Sequence, residues 1–212
     1  MGSNALSEAA YAGGSQRGRL IRLDTPLGED WLLPLYAKGV SRLGRDYEFV
    51  VEAASIKGRE IDLQAMIGKP VTLWLQQTDG GYCPHHGFVT TFSRLASDGY
   101  LSFYQLRFCS WLCFLPLRRD MRDWQEQTGE QILADVFDQH PQASGAYRFD
   151  LRESLPQYSN RVQWEDDWNF VHRSLEEAGV FGRFEQASDG KSHTLVLMDD
   201  LYFVPELEDR TV

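Results

Sequence analysis

The sequence predicts a mainly β protein with an α+β part: an N-terminal β-barrel over residues 19–115, followed by an α+β domain over residues 116–200. Two observations carry that reading. Short runs rich in apolar and aromatic residues recur from Leu20 to Phe108, separated by Gly-containing turns, as a closed or nearly closed barrel needs. Beyond residue 127, two segments repeat apolar residues every three or four positions, which is the helical period.

In chain order, residues 1–18 are small and polar, cannot bury enough surface to order themselves, and are expected to form a flexible arm. Residues 20–23 make a short apolar strand, closed by a Thr25-Pro26-Leu27-Gly28 turn. A second strand spans 31–40 with a break near Pro34, and a third, half-buried one spans 47–53. A fourth covers 71–75, with Val71, Leu73 and Leu75 on one face and Thr72, Trp74 and Gln76 on the other. Asp79-Gly80-Gly81 turns the chain into a strand that starts at Gly87, and Asp98-Gly99 turns it again before a strand over 100–108. Trp111 to Leu115 reads as the apolar end of the barrel run.

Thr128 and Gln131 have capping-box spacing. Ile132, Leu133, Val136 and Phe137 form the buried stripe of the helix they open, and His140-Pro141 ends it. Residues 147–151 read as a strand and 154–160 as a loop around Pro156. The runs 180–184 and 193–198 flank Ser188-Asp189-Gly190-Lys191, a hairpin signal. Residues 201–212 are an acidic tail or linker.

The stretch from Arg161 to Glu185 organises the second half. Its acids Glu165, Asp166 and Asp167 stand where a helix N-terminus needs acceptors and favours negative charge. Asp167, Phe170, Val171, Ser174, Leu175 and Ala178 then make one helical face, and Gly179 is the expected left-handed cap. Capping contributes ~1 kcal/mol. Burial of Phe170, Val171 and Leu175 contributes ~1.5–3 kcal/mol each, so packing holds this helix.

Totals and motifs exclude several function classes. The 212 residues are 42% hydrophobic and 13% aromatic, a composition that folds. A net charge of −10 argues against a dedicated nucleic-acid binder. Three cysteines make no secreted disulfide framework, and Cys109 and Cys113 read as buried thiols in a reducing compartment. No apolar run reaches the ~20 residues of a membrane span, and no signal peptide is evident.

Catalytic and metal-binding candidates are equally thin. His172, Arg173 and Glu176 fall on the side of their helix away from the apolar stripe, without His-Glu-x-x-His spacing, and read as a solvated face. Cys83-Pro84-His85-His86 offers at most three zinc ligands and reads as a plain loop, since structural zinc sites are four-coordinate. Arg118, Arg119 and Arg122 form a basic segment, either solvated or available to acids of a neighbouring subunit. No catalytic residue, cofactor or metal ligand is assigned.

The run VQWEDDWNFVHRSLEEAGVFGRFE (162–185) resembles the signature of the VgrG family, the spike proteins of type VI secretion systems, in its Rhs-element Vgr branch. Three other phrases agree with that family: Asp62-Leu63 through Ile67-Gly68-Lys69-Pro70-Val71-Thr72-Leu73, His86-Gly87-Phe88-Val89, and Trp111-Leu112 with Leu115 and the arginines after it. Asp199-Asp200 matches the acidic pair that ends a strand in the family. The resemblance spans nearly all of residues 19–201. It departs at Trp164, where a Tyr expected to pack similarly is usual, at Ser174, where Leu is common, and at Ala178, where an acid is common. Ser174 is expected to weaken docking of the helix by ~1–2 kcal/mol.

The resemblance implies a baseplate hub-like fold and a structural, non-enzymatic part. Such hubs form homotrimers of pseudo-sixfold symmetry that cap the ring of the hexameric Hcp tube, and full-length spikes carry a PAAR tip and effector proteins. It further implies assembly in the cytoplasm, then export by the type VI machinery without a signal peptide, and no nucleic-acid partner or stable membrane insertion. Full-length members continue into a second barrel and a β-helical needle, so this chain corresponds to the hub ahead of them. The alternatives are a phage tail baseplate hub protein and a hydrolase effector fused to a spike.

Overall fold

A computed structural model of the chain describes residues 14–56, 61–98 and 100–201. The acidic tail expected over 201–212, apart from Leu201, and most of the expected arm lie outside them.

Six strands build the first unit: β1 (Ile21–Asp24), β2 (Leu33–Val40), β3 (Glu48–Ile56), β4 (Pro70–Gln76), β5 (Tyr82–Ser97) and β6 (Leu101–Cys109). They form one antiparallel sheet in the order β1-β4-β5-β6-β3-β2. Alternation decides its inner face: Phe49, Val51 and Ala53 of β3, Val71 and Leu73 of β4, and Tyr104, Leu106 and Phe108 of β6 are buried together. The sheet curls until β1 and β2 approach each other, yet no ladder joins them among the described residues, so the expected barrel is a curled half-barrel. The expected break near Pro34 is a register shift between Pro34 and Tyr36 on the edge strand β2, where a residue without an N–H is tolerated.

Three local features depart from expectation. Gln16, within the expected arm, is buried; its side chain donates to the Leu23 carbonyl (3.1 Å) and accepts from the Leu23 N–H (2.6 Å), acting as a surrogate strand residue beside β1. Residues Leu63–Met66 form a short helix, α1, with Asp62 capping the Gln64 N–H at 2.9 Å and Met66 fully buried in the half-barrel core. One turn is too short to show a period. The Cys83-Pro84-His85-His86 segment is not a loop: it pairs with β4 residue by residue, His86 opposite Thr72 and Cys83 opposite Leu75. Pro84 is tolerated there because it lies in the part of β5 that pairs with β4 alone, β6 joining only from Phe88.

The second unit begins earlier than the sequence suggested. Trp111, Leu112 and Leu115, on a 3-10 turn (Trp111–Leu117), pack into the second core rather than the barrel's. An apolar run shows that it will be buried, not in which core. After it come β7 (Arg122–Thr128), α2 (Gly129–Phe137), β8 (Tyr147–Asp150), β9 (Gln157–Gln163), α3 (Asp167–Ala178), β10 (Phe181–Gln186) and β11 (His193–Met198). The expected loop over 154–160 is therefore strand from Gln157 onward. It pairs with β7 as a two-stranded ribbon, while β10, β11 and β8 make a separate sheet in which β8 runs parallel to β11.

The helices follow their sequence signals. Thr128 and Gln131 complete the capping box, and Ile132, Leu133, Val136 and Phe137 are buried. Asp166 caps α3 through the Asn169 N–H at 2.9 Å, and Gly179 ends it at φ 68°. Arg173 bridges Glu165 (2.5 Å) and Glu177 (3.1 Å), offsetting an acid in the last turn.

A buried polar cluster fastens α3 to the rest. Asp167 is fully buried; its Oδ2 meets His140 Nε2 at 2.8 Å and Arg118 at 3.5 Å, and its Oδ1 accepts from Gln163 Nε2 at 2.6 Å. Burial pushes the Asp167 carboxyl up, but the hydrogen bonds from His140 and Gln163 and the charge of Arg118 outweigh it and hold the group below the usual range. The basic segment is thus spent inside the chain. Arg118 also pairs with Asp120 (2.8 Å), Arg122 pairs with Asp120 and Asp135, and Arg119 donates to the Trp164 carbonyl.

Two substitutions test this packing by urea unfolding. Gly87→Ala places a Cβ 2.5 Å from the Cys109 carbonyl and 2.6 Å from Phe108 Cδ2; a loss of about 2 kcal/mol or more is expected. Asp167→Ala leaves His140, Gln163 and Arg118 without their acceptor and is expected to cost about 3 kcal/mol. Asp167→Asn keeps one acceptor oxygen and is expected to cost less.

Candidate functional site

The half-barrel and the second core meet along one seam, and β5 supplies it. Its side chains alternate: His85 lies against Phe49 inside the half-barrel (ring centroids 4.7 Å apart), whereas His86 and Phe88 face the second core. His85 and His86 therefore stand on opposite faces of the sheet and cannot share one metal ion with Cys83. Among the described residues, no group of three or more His, Cys, Asp or Glu is placed to hold a metal.

His86 Nδ1 lies 2.8 Å from His193 Nδ1, and His193 Nε2 accepts the Trp111 N–H at 3.1 Å. The backbone N–H of His86 donates to Gln186 Oε1 at 2.9 Å, and the Tyr47 hydroxyl donates to the His86 carbonyl. Tyr47 also sets its ring edge-on to Phe184 and His193. Burial pushes His86 down, and burial together with the neighbouring His86 brings His193 to about 3. Beside them, Asp46 accepts from the N–H groups of Tyr47 (2.8 Å) and Ser110 (3.2 Å), and burial pushes its carboxyl up to about 6 against the pull of those bonds.

The turn between β10 and β11 closes the seam on the outer face of β4. Thr72 Oγ1 donates to the Gly190 carbonyl at 2.5 Å, and Gly190, at φ 69°, lies so close to Trp74 that a Cβ would stand 2.5 Å from its Cζ2. The face expected to hold Thr72 and Trp74 is therefore covered by the second unit at those two residues. An open cleft of ≈ 460 Å³ runs along the seam between Pro70, Phe88, Lys191 and the two histidines.

The face expected to be solvated is also part of this joint. Arg45, from the loop before β3, reaches His172 Nδ1 and Glu176 Oε1, each at 3.3 Å. The His172 ring rests on Trp168, 4.0 Å between centroids, and burial followed by the Arg45 charge lowers its pKa. Of that face only His172 is covered, by a loop 127 residues away; Glu176 stays exposed as expected. Arg173 and Glu176 pair with charges and meet no nucleophile.

Outside the seam, the molecule shows a bare apolar strip. The inner side of the β7–β9 ribbon buries Trp124 and Gln163, but the outer side exposes Val162 and Trp164, with Trp164 66% exposed. Continuing the ribbon's register sets Met121, also 66% exposed, beside Trp164, and Leu117 is exposed nearby in sequence. The Trp164 side chain lies outside its own core. Alternation after the buried Gln163 puts it outside. Of these residues the sequence singled out only Trp164, since a ribbon face flanked by charge leaves no periodic signal.

The comparisons agree with this geometry. The chain is 29% identical to the type VI secretion system spike protein VgrG1b of Pseudomonas aeruginosa over 92% of its length, and 31% identical to VgrG1c of that organism over 87%. It spans about a quarter of the length of these relatives, 28% and 25% respectively. Its fold matches that of the E. coli c3393 protein, described as a component of the type VI secretion system with structural similarity to T4 bacteriophage tail proteins gp27 and gp5. That match has a TM-score of 0.70 and 23% identity, covering 87% of this chain and 48% of that one. Residues 41–212 match the phage tail baseplate hub (GPD) family, and the chain belongs to that family.

Proposed function

We propose that this chain is the hub portion of a type VI secretion spike, a structural and non-enzymatic part that works by fitting against other subunits. It assembles as a homotrimer on the Hcp ring, in the company of a PAAR tip and effector proteins, and leaves the cytoplasm through the type VI machinery. The observation that carries this reading is the match to spike proteins over 87–92% of the chain.

The geometry supports it in two ways. The polar residues that resemble a catalytic cluster are consumed in structural pairs: Asp167 by His140, Gln163 and Arg118, and Glu176 and His172 by Arg45. Meanwhile Met121, Val162 and Trp164 hold apolar surface in water on a rigid ribbon, an arrangement typical of a surface that a partner covers. A closed ring of three chains, each seating this strip against a different face of its neighbour, would cover it on every subunit.

Immobilised Hcp rings test the proposal. The chain is expected to be retained on them and, once retained, to cross-link to itself as a three-chain product. Trp164→Asp is expected to lower the three-chain product at least tenfold with unchanged far-UV circular dichroism. Failure of the parent chain to be retained on Hcp at any concentration sinks the reading. Retention without any three-chain product removes the trimer.

A further inference from the structure

We propose that the His86–His193 contact is a proton-sensitive latch, holding the half-barrel to the β10–β11 hairpin only while both rings are neutral. This goes beyond the spike reading and does not depend on it.

The hydrogen-bond geometry fixes where each proton sits. Trp111 N–H donates to His193 Nε2 at 3.1 Å, so that nitrogen carries a lone pair and the His193 proton is on Nδ1. Nδ1–H in turn faces His86 Nδ1 at 2.8 Å, which must accept, so the His86 proton is on Nε2. The chain Trp111 N–H, His193, His86 is satisfied by this one arrangement.

A single added proton breaks it. On His193 Nε2, it turns the Trp111 contact into two opposed N–H groups. On His86 Nδ1, it opposes the His193 Nδ1–H at 2.8 Å; the clash is relieved only if His193 moves its own proton to Nε2, which again strands the Trp111 N–H. Every protonated state therefore loses one buried bond, and Trp111 is where the loss is felt.

The charged and titratable neighbours set which ring responds first. Asp189, on the β10–β11 turn, favours a charged His86, and that ring lines the open cleft beside Lys191. His193 is more enclosed, by Tyr47, Phe184 and Phe88, and burial holds it near 3. His86 is thus the entry point for the proton. Asp46, joined to the seam through Ser110 and Tyr47, works in the opposite sense, with Cys109 and Cys113 near Tyr47. The stabilisation from neutral His193 is complete above the ordinary histidine value of ~6.5 and is lost as pH falls toward about 3. The Asp46 contribution is complete below the ordinary carboxyl value and is lost as pH rises through about 6. The bonds from Thr72 to Gly190 and from His86 N–H to Gln186 do not titrate, so acid loosens the seam without separating the two cores.

The test uses the full chain labelled with ¹⁵N. Long-range imidazole correlations at pH 7.5 are expected to show His193 as the Nδ1–H tautomer and His86 as the Nε2–H tautomer; an Nε2–H tautomer at His193 overturns the proposal. Lowering pH from 7.5 to 5 is expected to reduce the exchange protection of the Trp111 amide at least tenfold, corrected for intrinsic exchange. Val51 and Leu106, in the β3–β6 ladder, should change less than twofold. In His86→Gln, whose carbonyl oxygen can accept from His193 without titrating, the Trp111 response should be at least threefold smaller than in the wild type, the remainder coming from His193. A uniform loss of protection, or a response kept in full by His86→Gln, overturns the latch. If that variant does not fold, the wild-type tautomers and the Trp111 profile decide.

Discussion

One strand with two working faces constrains the rest of this molecule. Over residues 85–89 of β5, His85, Gly87 and Val89 point into the half-barrel, while His86 and Phe88 point into the second core. A slip of one residue would send two rings into the half-barrel and expose a valine and a glycine to the seam. Gly87 pins the register, because the Cys109 carbonyl passes where any Cβ would be. The His-Gly-Phe-Val phrase is therefore a joint: each residue type answers a different neighbour.

Much of the fold was legible because it is local. Alternation in 47–53 and 71–75, the Thr128–Gln131 capping box and the acids before α3 each act within a few residues, and each forms as expected. What escaped was non-local. β7 carries Arg, Asp, Gln and Glu around a single buried Trp124, so its strand character comes from pairing with β9, 30-odd residues later. His172 looked solvated because Arg45, which covers it, belongs to the other unit. Trp111 to Leu115 showed burial but gave no sign of which core it would join. The seam histidines escaped too: two residues 107 positions apart share no spacing, and the strand that carries His86 was masked by Pro84.

The polar contacts and the apolar ones divide the labour of holding the two units. Tyr47, Phe184, Phe88 and Phe114 supply buried area, which is nearly indifferent to small rotations. The bonds of His193, Gln186 and Thr72 are intolerant of them, since a shift beyond a few tenths of an ångström strands a donor. Burying polar groups adds little net stability but fixes one orientation out of many that an oily seam would permit.

That division bears on the proposed hub role. Such a role requires a contact surface held at a fixed angle, and the ribbon bearing Met121, Val162 and Trp164 lies several links from the half-barrel. Each link is of the orienting kind. The ribbon's inner face packs Trp124 on Phe170 of α3, α3 is tied by Asp167 to His140, Gln163 and Arg118, and its far side is tied by Glu176 to Arg45 next to β3. Arg45 and Glu176 are both exposed and contribute little to stability, yet with His172 they give α3 a direct tie to the loop leading into the half-barrel sheet. The charged residues that look like chemistry in the sequence thus serve geometry: they transmit the orientation of one sheet to the surface carried by another.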